Sequence, residues 1–478
     1  MSEAYAGPTP GVTGPVPGEA YLAGQPVRVP LSERGYTEEE YFISGTATSY
    51  SSDGPMPADG RLTAKPADIA AYTTRIIVRR PSDLKKFNGT VLVEWLNVSA
   101  GSDGAPDFSF LNRQIVREGY AWVGVSVQKV GLDGAPGVPA IAKPVKSANP
   151  ARYESLIHPG DAYSFDIFSQ VGRVIRVGGQ TPASLHSLRP KHVLAMGESQ
   201  SAFFLVAYVN AIDPLARIYD GFLIHARGSF AAPLTGMRLD RSDPDLFKST
   251  VHFRGDLRVP VLNVQSETDL MTLGSLASRQ PDTERFRLWE IAGASHADTY
   301  LISAAYQDSE GVDPAVLAAA LAPTIQMFGQ TLTAPINSGP AQHYVLNSAL
   351  YHLNRWVRDG QAPPAGARLE VANAEGRVFV LDDSGNVRGG IRSPWVDVPT
   401  ASLSGLGQTG AGFAPLFGTT KAFDSEKLML LYPGGRAQYL EKFVAATDAA
   451  IQAGFILEAD KREIHALAAA MYPVPPGP

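Results

Sequence analysis

The chain has 478 residues, 44% hydrophobic and 18% charged, with a formal net charge of −6. That is the composition of a globular protein with an ample core, and the absence of a basic stripe argues against a nucleic-acid partner. There is no cysteine, which excludes disulfides, a thiol nucleophile and cysteine-ligated metals.

The N-terminus, Met-Ser-Glu-Ala-Tyr-Ala-Gly-Pro, carries neither a basic region nor an apolar stretch, so it does not read as a signal peptide. Residues 1–30 are rich in Pro and Gly and are expected to run irregularly over the surface. The longest apolar runs, Ala202–Val209 and Ala315–Ala322, are much too short to cross a bilayer. The expectation is a soluble, cytoplasmic protein with no membrane partner.

Glu40–Tyr50 and Ala70–Arg79 carry period-two patterns suited to early antiparallel strands. Gly89–Glu94 reads as a central strand, Phe108–Arg117 as an amphipathic helix and Ala121–Val127 as the next strand. Phe168, Val171 and Ile175 recur at helical spacing before Gly178-Gly179, a helix stop. Strand and helix then alternate through Tyr219–His225 and on to the loop holding His296. That alternation predicts an α/β fold, a mostly parallel sheet with helices on both faces.

Within that alternation, Val193–Met196 reads as a buried strand and Ala202–Val209 as a buried helix. Between them stands Gly197-Glu198-Ser199-Gln200-Ser201, a serine with small residues two places before and two places after it. A sharp strand-to-helix turn needs small neighbours there, since larger side chains would clash beneath it. Such a turn lifts the serine oxygen above the sheet and aims helix N–H groups at it. Alone, the pentapeptide is weak evidence in a chain this rich in Gly, Ala and Ser.

Two later segments add to it. Val261–Gln265 reads as a strand ending in Glu267 and Asp269. Phe286–Ile291 reads as another, followed by Gly293-Ala-Ser-His296. Serine, acid and histidine thus follow in that order, each just past the carboxyl end of a predicted strand. In open α/β sheets ligands bind beyond those ends, so the three groups can converge.

Gly197–Ser201, Val261–Asp269 and Gly293–His296 resemble the three catalytic segments of the α/β-hydrolase superfamily. The likeness is to bacterial carboxylesterase-type members described only as α/β-hydrolase domain proteins, and it covers roughly residues 36–360. The resemblance implies that Ser199 is the nucleophile, His296 the base and Asp269 the carboxylate that orients the imidazole. Glu267, two residues earlier, is the alternative acid, and Asp298 a weaker third. One oxyanion donor should be the Gln200 backbone amide. The other should come from the loop after Val91–Glu94, through the amide of Asn97 or Val98. The His-Gly pair usual in the resembling enzymes is missing there. Glu198, His225 and Trp95 are weaker candidates for substrate contact, and His158 reads as a structured-loop residue.

The expected organisation is an irregular segment 1–35, an α/β-hydrolase core 36–360 with a cap inserted at 228–258, and a C-terminal appendage 361–478. The appendage should hold a hairpin (Arg368–Gly389), a long irregular stretch and helices near Ala437–Ala453 and Asp460–Met471. The function expected is hydrolysis of a small-molecule carboxylic ester through an acyl-enzyme. Thioesterase, peptidase or acyltransferase chemistry would use the same residues, and a non-catalytic binder on this scaffold is the reading from another class. No cofactor or metal is implied, since no metal-binding or dinucleotide motif stands in the right context. Homo-oligomerisation is compatible with all of these.

Overall fold

Side-chain alternation dictates the two long strands, which follow the short β1 (Gly11–Thr13). In β2 (Tyr36–Ser51) the buried residues Tyr41, Ile43 and Ala47 fall on one face, and β2 pairs antiparallel with β3 (Lys65–Pro81) along nearly its whole length. Both strands run several residues beyond the stretches expected from the sequence. The computed structural model describes residues 8–23, 30–135, 142–177, 182, 185, 187–237, 249–327 and 329–473. Two compact units divide the chain.

The first unit comprises residues 1–262, 277–286 and 353–361. It is built on β1 (Gly11–Thr13), β2, β3, β4 (Thr90–Trp95), β5 (Ala121–Val125), β6 (His192–Glu198) and β7 (Gly221–His225). Two further strands, β8 (Val261–Ser266) and β9 (Phe286–Ile291), contribute their first residues: the Phe222 amide donates to Pro260 and the Val261 amide to Arg285. The strand order is β1-β2-β3-β5-β4-β6-β7-β8-β9. β5, β4, β6 and β7 are mutually parallel, while β1, β2 and β3 form an antiparallel edge. The fold is thus α/β, a large mixed sheet that is parallel at its centre, with β4 in the middle as expected.

Register explains which helix covers which face. Leu92 is paired with Trp122 and Trp95 with Val125, so Trp95 and Trp122 project from opposite faces. Helix α1 (Pro106–Glu118) sits on the Trp122 side, with Phe108 and Trp122 ring centroids 4.9 Å apart. Helices α2 (Ser164–Val177) and α3 (Gln200–Ala207) sit on the other. Phe165, Phe168 and Phe204 pack on Trp95 at 5.8, 5.0 and 5.1 Å. On the first face the Glu94 carboxylate accepts the α1 amides of Asp107 (3.1 Å) and Phe108 (2.9 Å) and the Trp122 indole N–H (2.8 Å). Burial, with Asp107 close by, nonetheless holds the Glu94 carboxyl well above its usual range.

Beside this core lies a buried ionic cluster. The Arg75 guanidinium donates to Glu40 Oε1 and Asp103 Oδ2, both at 2.9 Å, and to Ser126 Oγ at 3.0 Å. Arg152 and the Tyr153 hydroxyl share Glu40 with it. All three charges of the Arg75 trio are buried, so removing the cation leaves Asp103 without its counter-charge in low dielectric and Glu40 with Arg152 alone.

The second unit comprises residues 263–276, 287–352 and 362–478. It holds the ends of β8 and β9, the short helix α4 (Glu267–Met271), most of α5 (Ala341–Asp359), α6 (Gly435–Gln452) and α7 (Lys461–Met471). Tyr344 of α5 stacks on Trp395 at 5.4 Å, and Trp395 packs edge-on against Phe443 of α6. A hairpin forms within 368–389 through Val371–Asn373 and Val378–Phe379. The stretch expected to be irregular also contains a ladder, Ala401–Ser404 against Thr419–Ala422. Among the described residues no helix is long and apolar enough to cross a membrane.

Arg75→Leu is expected to lower the unfolding free energy by about 3–5 kcal/mol, measured by urea denaturation, because the buried Asp103 loses its cation while Glu40 keeps only Arg152.

Candidate active site

Small residues make the turn after β6 possible. A Cβ on Gly197 would come 2.9 Å from Leu205 Cδ1 and 3.0 Å from Ser201 Cβ, so a larger residue at 197 would have to push these side chains aside. Ser199 sits at the apex with φ 57° and ψ −118°, a conformation costly for a residue with a Cβ. Its amide donates to the His225 carbonyl at 3.0 Å, the last bond of the β6–β7 ladder, and its own carbonyl opens the helix by accepting from Phe203. Gln200 is the first residue of α3, where an N–H has no intrahelical partner.

The loop after β4 meets this turn. Asn97 Nδ2 donates to the Glu198 carbonyl (3.0 Å) and to Glu198 Oε2 (3.1 Å). The Asn97 amide is spent on the Gly104 carbonyl at 2.9 Å, which withdraws it from the two expected oxyanion donors. The Val98 amide makes only a long contact, 3.4 Å, to Gln200 Oε1. Gln200 Nε2 is itself held by Gln128 Oε1 at 2.7 Å, and Gln128 also accepts the Trp95 indole N–H and donates to Asp161. The sequence singled out Trp95 and Gln200 but not Gln128 or Asp161, which lie more than thirty residues away with no local motif.

Two residues expected near substrate are structural in their surroundings. Trp95 is wholly buried between α2 and α3, and His225 is wholly buried with Nδ1 2.8 Å from Asp107 Oδ1. His158 anchors its loop, its Nε2 2.8 Å from the Val127 carbonyl, and burial lowers its pKa.

In the second unit the acid and the histidine meet. Asp269 Oδ1 lies 2.6 Å from His296 Nδ1, and Asp269 Oδ2 accepts the Ser266 amide at 2.7 Å. Ser266 and Asp269 cap α4 reciprocally, so the carboxylate is oriented by the helix start it stabilises. A carboxylate at Nδ1 places the imidazole proton there and leaves Nε2 as the basic nitrogen. The His296 amide donates to Thr268 Oγ1 (3.1 Å), and that hydroxyl donates to the Gly405 carbonyl (2.6 Å). Asp298 is used locally, its Oδ1 accepting the Leu301 amide at 3.0 Å.

Glu267 has a different task. Its two oxygens accept the amides of Gly293 (2.6 Å) and Gly405 (2.8 Å), clamping the histidine loop to the C-terminal region. Burial outweighs these donors and pushes its carboxyl up to about 7. The Ser266-x-x-Asp269 spacing is a capping signature that could have distinguished the two acids from sequence.

The model of a family described as alpha/beta hydrolase domain matches residues 6–466, nearly the whole chain. The chain belongs to that family. As an alpha/beta hydrolase domain protein it is also similar to solved structures, at low identity. A fungal esterase from Rhizomucor miehei is 11% identical, with 68% of this chain and 85% of that chain covered and a TM-score of 0.33. Esterase Est22 is 13% identical, covering 56% and 75%, with a TM-score of 0.30. The glucuronoyl esterase from Solibacter usitatus is 11% identical, covering 61% and 82%, with a TM-score of 0.29. The family assignment rests on the sequence match, not on these superpositions. No curated protein sequence matches the chain.

Strain at the apex of this alpha/beta hydrolase turn is measurable without substrate. Ser199→Gly is expected to be more stable than Ser199→Ala by about 1–2 kcal/mol in thermal unfolding, since only glycine adopts these angles freely. Equal stabilities would show that the serine backbone is relaxed.

Proposed function

We propose that the protein hydrolyses carboxylic esters through an acyl-enzyme, with Ser199 as nucleophile, His296 as base and Asp269 as the group orienting the imidazole. The observation that carries this reading is the backbone of Ser199. A non-glycine residue held at φ 57° between a parallel strand and a helix is costly, and such strain is kept where it positions a reactive group. The 2.6 Å contact between Asp269 and His296 Nδ1 supports it independently.

In this scheme Ser199 Oγ bonds to the ester carbonyl carbon while its proton passes to His296 Nε2. The Gln200 and Val98 amides receive the oxyanion. The intermediate collapses, the C–O bond to the alcohol breaks, and the alkoxide takes the proton from His296. Water then repeats the sequence on the acyl-enzyme and releases the acid. An acyl oxygen could take the Val98 N–H from Gln200 Oε1 easily, because the bond it replaces is long.

The insertion at 228–258 is proposed as the acyl-side wall. Arg227, fully buried, ties its two ends by donating to the carbonyls of Gly228, Ser229 and Val251. With no carboxylate among those acceptors, burial lowers the guanidinium to about 9. Phe230 packs on Phe203, four residues past the serine, at 4.4 Å. Leu234 is buried and Met237 partly so, while residues 238–248 lie outside the described structure.

Steady-state hydrolysis of p-nitrophenyl esters tests the chemistry. Ser199→Ala should abolish turnover, and Asp269→Asn should lower kcat by about 10²- to 10⁴-fold. Glu267→Gln should change kcat much less than Asp269→Asn does; a reversed ranking would make Glu267 the acid. Phe230→Ala should shift the ratio of kcat/KM between acetyl and octanoyl esters by at least about tenfold. An unchanged ratio would place the acyl group elsewhere.

A further inference from the structure

Away from these residues, the second unit gathers metal-ligating side chains from three elements. Asp308 follows the turn Tyr300–Ala304, α5 presents His343 and, one turn later, Asn347, and α7 carries Glu463 just after its cap Asp460. One ligand atom each from Asp308, His343 and Glu463 lie within 4.8 Å of one another. Asp308 Oδ2 is 3.6 Å from His343 Nε2 and accepts the Tyr300 hydroxyl at 2.7 Å, and the Tyr344 hydroxyl donates to Glu463 at 2.8 Å. Tyr300 also stacks on the His343 ring at 4.0 Å, fixing its plane.

A second observation concerns Asn347, which is fully buried. Its Nδ2 lies 3.3 Å from His343 Nε2 and 3.4 Å from Asp460 Oδ2, yet its Oδ1 has no partner. A buried amide oxygen without a donor costs about 1–3 kcal/mol. As placed, the amide nitrogen faces His343 Nε2 and Asp460 Oδ2, so the oxygen meets a cation at the cluster only once the amide is turned over. Asn oxygen and nitrogen interchange by a simple flip, which would also bring the oxygen to the His343 side.

We propose that Asp308, His343 and Glu463, with the Asn347 amide at their edge, form a structural site for a divalent transition-metal ion such as Zn²⁺. One imidazole and two carboxylates suit such an ion better than Mg²⁺ or Ca²⁺, which prefer oxygen alone. Bonds of about 2.0–2.2 Å would set ligand atoms roughly 3.3 Å apart, close to the Asp308–His343 separation. Glu463, only partly buried and held by the Tyr344 hydroxyl, would be the third ligand of the set. The site would brace the histidine loop. Tyr300 stands four residues beyond His296, and Gln342, next to His343, has its Nε2 3.5 Å from the His296 carbonyl. No compact motif announces this site, because its ligands are scattered over more than 150 residues of sequence.

The test is titration of EDTA-treated full-length protein with Zn²⁺, and in parallel with Mn²⁺, by calorimetry and thermal shift. Wild type should bind one Zn²⁺ per chain and melt several degrees higher with the ion in excess. Glu463→Gln, at a partly exposed position, should weaken that binding at least tenfold and cancel the shift, and His343→Asn should do likewise. No saturable binding to wild type would overturn the proposal. So would unchanged binding in Glu463→Gln, which decides the matter should His343→Asn fail to fold.

Discussion

The contact between Asp269 and His296 sets the terms for the second unit. A carboxylate can orient an imidazole only if it is desolvated, ionised and unable to turn away. Here each oxygen has one assignment, Oδ1 to the ring and Oδ2 to the Ser266 amide. Thr268 holds the His296 backbone, and Glu267 holds Gly293 at the other end of the same loop. Successive residues of Ser266-Glu267-Thr268-Asp269 thus each take a different hold on the acid or the histidine segment. The cost is a second buried carboxyl, which two backbone amides partly offset.

That arrangement draws the C-terminal region into the unit. Gly405 both donates to Glu267 and accepts from Thr268, and the Ala297 amide donates to the Leu416 carbonyl. A Cβ at 405 would meet Ala294 O, Glu267 Cβ and Thr268 N at 2.6 Å, so a side chain there would force these segments apart. Residues after 360, read from sequence as an appendage, share a unit with 263–276 and 287–352. The likeness carried by the three motifs covers roughly residues 36–360, with the segment from Ser393 and the C-terminal helices resembling the same group, and the family match runs to 466.

What the sequence made legible was local. Strand and helix positions followed from period, and the serine turn followed from small residues at fixed spacing, because both depend on neighbours within one turn or strand. The helices of 435–452 and 461–471 fell within a few residues of expectation for the same reason. The ladder between 401–404 and 419–422 was missed, since its strands are short and bracket a Gly-rich stretch without alternation. The choice between Asn97 and Val98 could not be made from residue types. The Asn97 amide finds its acceptor seven residues on, at Gly104, which no local pattern announces. The Arg75 cluster and the Asp308–His343–Glu463 group were illegible because each joins segments far apart in the chain.

The central claim is that the strained serine is the reactive group, and covalent capture tests it most directly. The intact protein would be treated with a fluorophosphonate, digested and mapped by mass spectrometry. The account predicts one adduct per chain, on the peptide containing Ser199, with none in a His296→Ala variant that remains folded. An adduct on a different serine, or ester hydrolysis that persists with Ser199 unmodified, would contradict it.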